Sequence, residues 1–260
     1  MELPTLNIED VIAAMLVLIR VSCLLILMPV LGHRLVPAQV KIGLSALLAI
    51  LLYPAVANSL PQMPATPLAL MLVAIQEILI AAMLAMVAQL IFAAAQFAGQ
   101  VMGYQMGLAI ANVFDPTTSA QISIVGQFSI VLSMLIWLSA GAHNAFLFAL
   151  ADSFDLLPIG QPLDVSGFLA LNEMASSMFV LALRLVAPML LLLFFLYVAL
   201  GLLSRAVPQI QVFFVSFPLT VGIGFLAFAL ALPSIISLMH DSFTGISESL
   251  PVLLRALSGV

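Results

Sequence analysis

Apolar residues gather in six long blocks, at about residues 11–31, 42–57, 68–111, 122–151, 168–203 and 212–239. A helix perpendicular to a bilayer needs about 20 residues to cross about 30 Å of hydrocarbon. The first block fits, the last is a little long, and the second, at 16 residues, is short. The third, at 44 residues, would run about 66 Å as one helix at about 1.5 Å per residue. It must contain two spans, bend back, or continue well beyond the bilayer. No charge divides it from Ile78 to Val113, so its glycines are the candidate hinge. The pattern predicts an all-α integral membrane protein of about six long, kinked apolar segments.

Proline adds to the irregularity. Pro29, Pro54, Pro188, Pro218 and Pro233 lie inside or at the ends of apolar blocks, where each removes a helical hydrogen bond. Proline is ordinary in membrane helices, which tolerate it when neighbouring protein supplies replacement contacts. So many breaks favour helices packed in an assembly over helices isolated in lipid.

Composition agrees with a membrane setting. The chain is 65% hydrophobic and 7% charged, with mean hydropathy +1.31, where a soluble domain carries about 25% charged residues. Its surroundings are lipid or other apolar protein. The net charge of -5 comes without a basic patch, which argues against nucleic acid as a partner. Cys23 is the only cysteine, so an intrachain disulfide and a cysteine-rich metal site are excluded. The first ten residues carry Glu2, Glu9 and Asp10 and no base, the reverse of a secretory signal. Asn7 is a candidate cap for the first helix. Arg34, Lys41 and Arg205 fall in the odd loops, and the loop holding Asp152, Asp155 and Asp164 has no base. The positive-inside rule then places both termini outside the cytoplasm. In the tail, about residues 240–260, leucines at 250, 253, 254 and 257 form an amphipathic pattern suited to an interface or a partner.

One stripe in the third block stands out. Gly99, Gly103 and Gly107 are spaced four apart, and Gln89, Gln96 and Gln100, upstream of the last two, fall at spacings of seven and four. On a helix the amides share a face with Gly103 and Gly107. In hydrocarbon each amide needs a hydrogen-bond partner, and each glycine admits a second backbone. By spacing alone the stripe is open to a dimer contact, a solute path or a packing face. Met83, Met86, Met102 and Met106 lie in the same block, either filling helix surface or forming a deformable seal.

Arg20, Glu77, His143 and Arg184 are ionisable residues within apolar blocks, where a charge near mid-membrane costs roughly 3 kcal/mol or more unless paired or hydrated. Arg20 is mid-block, and Glu77 is its candidate partner. A proton relay needs more carboxylates than one, so a structural pair is expected. His143 has no second histidine or carboxylate at ligand spacing, so no metal is assigned. Asp152 and Asp155, beside Ser-Phe-Asp-Leu-Leu-Pro, read as a solvated turn. No HExxH, GxSxG or phosphate-binding glycine loop is present. Gly222-Ile-Gly224-Phe-Leu-Ala227 matches a dinucleotide fingerprint by letter only, without βαβ context. No cofactor is expected.

Read in order, these residues resemble the FliR family of the type III export gate, whose relatives serve virulence-type secretion. The resemblance rests on Arg20, Pro29, Gly32, Pro37 and Lys41 near the start; on Gly107-Leu108 and Asp115-Pro116 in the middle; and on Gly141-Ala142-His143, Ser153-Phe154 and Leu157-Pro158-Ile159-Gly160 further on. Its most specific piece is Arg205-x-x-Pro208-Gln209, followed by Val212-Phe213 and Phe217-Pro218. Asparagine is common in the family where Gln211 stands, and lysine where Leu219-Thr220 follows the later proline. The resemblance implies a non-enzymatic subunit, one membrane domain over 1–260, whose helical hairpins pack in a helical gate with FliP and FliQ, near FlhB. That gate lies in the bacterial inner membrane, within the flagellar basal body, and passes unfolded flagellar proteins. The resemblance also implies a plug over about residues 103–116, in which Gly103, Met106 and Gly107 lead to Ile110, Val113 and Phe114 as stoppers, then Asp115 and Pro116. A small-solute transporter built on broken helices is the competing class, opposed by the lack of internal repeats and of clustered carboxylates.

Overall fold

Buried positions along the first block recur every three or four residues: Ala13, Leu16, Val17, Arg20, Val21, Leu24 and Leu25. That recurrence is one face of helix α1 (Ile8–Leu27), whose first turn carries Glu9 and Asp10 at the end where the helix dipole favours them. The computed structural model describes residues 8–34, 36–57, 66–108, 123–207 and 212–259. Ile110, Val113, Phe114, Asp115, Pro116, Pro208 and Gln209 lie outside the described residues. After α1 the chain turns through Pro29–Gly32, with Val30 at φ 70°, a conformation uncommon for a β-branched residue. A Cβ at Gly32 would lie 2.7 Å from the Met28 carbonyl oxygen, so only glycine fits. Lys41 Nζ donates to the carbonyls of Gly32 and His33 at 2.8 and 3.0 Å and so ties the turn to α2 (Ala38–Val56).

The third block is one helix, α3 (Pro67–Gln105), of 39 residues, or about 58 Å. It runs through Gly99 and Gly103 unbroken, so these two are not hinges. The fourth block divides at Ala140-Gly141 into α4 (Ile124–Ser139) and α5 (Ala142–Leu156), because Gly141 takes a left-handed φ of 66°. Asp152 and Asp155 fall on the exposed side of α5 rather than in a turn. Then come α6 (Ser166–Ala206), α7 (Val212–Thr244) and α8 (Ile246–Ser258). Pro54, Pro188, Pro218 and Pro233 lie inside helices that continue past them. Among the described residues no strand occurs. Among the described residues five segments are long and apolar enough to cross a membrane, or six if α4 and α5 form one span.

The chain divides into two compact units. The first comprises 1–90, 141–175 and 244–260. Its interior joins the α1 face to Ile80, Ala81, Leu84, Ala85 and Ala88 of α3, and to Phe146, Leu150 and Phe154 of α5. The C-terminal leucines, a pattern suited to an interface or a partner, instead face inward on their own chain. Leu250, Leu253, Leu254 and Leu257 of α8 are fully buried, and α8 packs on α5. Gly167 leaves room for the Leu257 side chain, while the Leu257 and Ala256 carbonyls accept from Asp164 N–H and Ser166 Oγ at 2.9 and 2.6 Å. The second unit comprises 91–140 and 176–243. Phe92, Trp137 and Phe243 meet there with ring centroids 5.3 to 5.9 Å apart, and Met102, Met189, Leu193 and Met239 fill its interior.

Candidate functional site

The apolar run of α3 ends at a glycine, and the ending is a Schellman motif. Gly107, at φ 81°, donates its N–H to Tyr104 O at 3.0 Å, and Leu108 N–H reaches back to Gly103 O at 3.1 Å. A left-handed residue at this position is most often glycine because no Cβ is strained. A helix end leaves its last carbonyls without intrahelical donors, and here the rest are met from other helices. Tyr197 Oη of α6 donates to Gln105 O at 2.6 Å, and Thr220 Oγ1 of α7 lies 3.4 Å from Met106 O. The Met106 side chain, fully buried, rests where Gly224 has no side chain.

The far flank of residues 109–122 returns to the same place. A Cβ at Gly103 would strike the Ser123 side chain, and one at Gly99 would lie 2.7 Å from Gly126 Cα and 2.6 Å from Ser129 Oγ. Ser129 and Ser133 turn their hydroxyls back to the Val125 and Ser129 carbonyls at 2.8 and 2.6 Å, so α4 presents a thin surface to α3. This is small-residue packing of two membrane helices. The stripe therefore meets its own chain. Gln100 Cγ and Gln96 O would lie 3.4 and 3.7 Å from a Cβ at Gly126, and Gln89 Nε2 donates to Leu27 O, the last carbonyl of α1, at 2.7 Å.

In the first unit the two buried charges meet. Arg20 Nε and Nη2 grip the Glu77 carboxylate at 2.5 and 3.1 Å. Nη1 donates to Ser153 O at 2.8 Å and Ser153 Oγ at 3.2 Å, and Nη2 also donates to Leu157 O at 2.9 Å. These five bonds use all five guanidinium N–H groups. Both ions are fully buried, and the Phe154 ring lies 4.3 Å from Arg20 Cζ, in cation–π range. Ser153 and Leu157 close α5, so Arg20 also satisfies that helix's terminal carbonyls. Gln76 Nε2 likewise donates to Gln161 O.

The family described as "Bacterial export proteins, family 1" matches residues 11–246. The flagellar biosynthetic protein FliR of Escherichia coli K12 is 35% identical over 243 residues, covering 92% of each chain. That of Bacillus subtilis 168 is 34% identical over 256 residues, 95% of this chain and 96% of the relative. That of Pectobacterium carotovorum is 36% identical over 241 residues, 92% of each. The chain belongs to the FliR family of bacterial export proteins. It is accordingly a multi-pass membrane protein of the flagellar export apparatus.

The FliR motifs in the sequence fall largely on the ends of helices. Arg20 and Ser153 meet at the end of α5, Gly32 lies in the turn after α1 with Lys41 of α2 bonded to it, and Gly107 lies at the end of α3. Arg205 is exposed in the last turn of α6, where a cation suits the dipole. Phe213 and Pro218 belong to α7. Arg184 is exposed on α6. His143 Nδ1 is buried without a hydrogen-bond partner among the described residues, and no group of three metal-ligating side chains occurs among them. Sequence reasoning missed Tyr197, Thr220 and Gly224. The signal for Tyr197 was its hydroxyl standing alone in Leu-Phe-Phe-Leu-Tyr-Val-Ala-Leu. Gly224 was half of a false fingerprint, and its actual use is as space for Met106.

Proposed function

We propose that the chain is a non-enzymatic subunit of the flagellar protein export gate in the bacterial inner membrane. It assembles with FliP and FliQ subunits, beside FlhB, and unfolded flagellar proteins pass through the assembly. Residues about 103–116 act as the plug of the closed channel, with Ile110, Val113 and Phe114 as its apolar stoppers. The observation that carries this reading is the pair of flanks around 109–122: the Schellman end of α3 and the start of α4 are both fixed within a turn of Gly103. The described chain on either side of that segment is thus tied to the same turn of α3. Deleting residues 110–114 is expected to leave assembly intact and make resting cells leak small ions, read as loss of ion-gradient tightness. Normal tightness in that deletion sinks the plug assignment.

A further inference from the structure

We propose that Tyr197 is a positioning residue for the plug: with Met106 seated against Gly224, it keeps the last turn of α3 wound as the fixed post from which residues 109–122 depart. The proposal rests on the plug reading above. It follows from counting the donors available to the carbonyls of residues 103 to 106. Gly103 O and Tyr104 O are met by the motif's own N–H groups. Among the described residues Met106 O meets the Thr220 hydroxyl, at 3.4 Å, and that single proton lies closer to Phe217 O, at 3.0 Å on its own helix. Gln105 O is different. Its short bond, at 2.6 Å, comes from the Tyr197 hydroxyl, 92 residues away on α6.

A carbonyl in the last turn of a helix has no intrahelical donor, so the Tyr197 hydroxyl supplies what the helix itself does not. The neighbouring residue adds a steric lock. Thr220 and Gly224 stand one turn apart and share a face of α7. A Cβ at Gly224 would lie 2.6 Å from Met106 Cγ and 3.0 Å from Met106 Cε. Met106 therefore sits in space that Gly224 leaves open. Unwinding of the last turn of α3 would have to break the Tyr197 bond and lift Met106 out of that seat together.

The test uses the assembled complex in two readings. Hydrogen exchange is measured on the peptide covering residues 103–108, and ion leak is measured in resting cells. Wild type is compared with Tyr197→Phe, Gly224→Ala, the deletion of 110–114, and Tyr53→Phe as a tyrosine on another helix. Tyr197→Phe is expected to speed exchange at Gly107 and Leu108 on the order of tenfold and to give a leak between wild type and the deletion. Gly224→Ala should move both readings the same way, and Tyr53→Phe neither. Unchanged exchange in Tyr197→Phe overturns the proposal. So does faster exchange without any leak while the deletion leaks. If the deletion itself stays tight, the plug reading fails, and the exchange reading alone then decides whether Tyr197 holds the helix end.

Discussion

A guanidinium at full burial has to place five N–H donors, and Arg20 places them on one carboxylate and the closing residues of α5. Charge neutralisation is therefore only half its work. Arg20→Met is expected to destabilise the protein by about 3–5 kcal/mol, because Glu77 is then a buried carboxylate without a partner. Adding Glu77→Leu should recover part of that loss. The exchange variant, Arg20→Glu with Glu77→Arg, restores opposite charges but leaves the Ser153 and Leu157 carbonyls without their donor, so it should melt below wild type. Thermal denaturation in detergent checks all three, and an exchange variant as stable as wild type would reduce the site to a simple ion pair. The Arg20 and Glu77 positions were legible in the sequence because ions are rare in apolar blocks. Their acceptors on α5 were not, since every residue type carries a carbonyl oxygen and only the fold decides which ones are exposed at a helix end.

At the scale of elements, helices here are limited less by proline than by glycine. Pro188 and Pro218 sit within helices that continue, whereas Gly107 and Gly141, both at positive φ, mark the ends of α3 and the start of α5. The glycines that remain inside helices divide by what surrounds them. Gly103 faces Ser123 at contact distance, and Gly43 has nothing within 4 Å. Gly43→Ala should thus be neutral or stabilising by up to about 1 kcal/mol from helix propensity. Gly103→Ala gains the same propensity and loses more to overpacking, about 1–3 kcal/mol, so its net effect is destabilising. Paired melting curves of the two variants separate these outcomes. The sequence cannot make this distinction, because spacing by four marks a face without saying what lies against it.

The start of α6 supplies a pH-dependent element. Asp164 accepts from both the backbone N–H and the hydroxyl of Ser166 at 2.7 and 2.6 Å, and these bonds hold its carboxyl below the usual value of 3.8. A lowered value means that the stabilisation is complete above the unfolded pKa and is lost as pH falls through the folded one. Stability measured from pH 7 downward should therefore hold until the pH falls below about 4 and then drop. Asp164→Asn, which keeps an acceptor but cannot titrate, should flatten that part of the profile. The same turn holds α8 through Leu257 and Ala256, so a loss of α8 protection is expected to accompany the drop.

Across the whole molecule, large apolar side chains remain uncovered well beyond what a soluble monomer tolerates. Ile42 and Ile50 of α2, Phe195 of α6 and Leu230 of α7 are each about two-thirds exposed. Mild detergent extraction is expected to recover the chain in a large complex with other membrane subunits. A small monomer or dimer would favour a solute carrier instead. Membrane class and family could be read from composition and ordered motifs. The pinning of both flanks onto α3 could not, because it depends on which helices Tyr197 and Gly126 come to face.

Pinned flanks also make one glycine answer for two places in the chain. The end of α3 closes on Gly103 O through Leu108 N–H, and the Ser123 side chain lies where a Cβ on the same glycine would stand. A change at Gly103 is therefore felt at the last turn of α3 and at the start of α4 together.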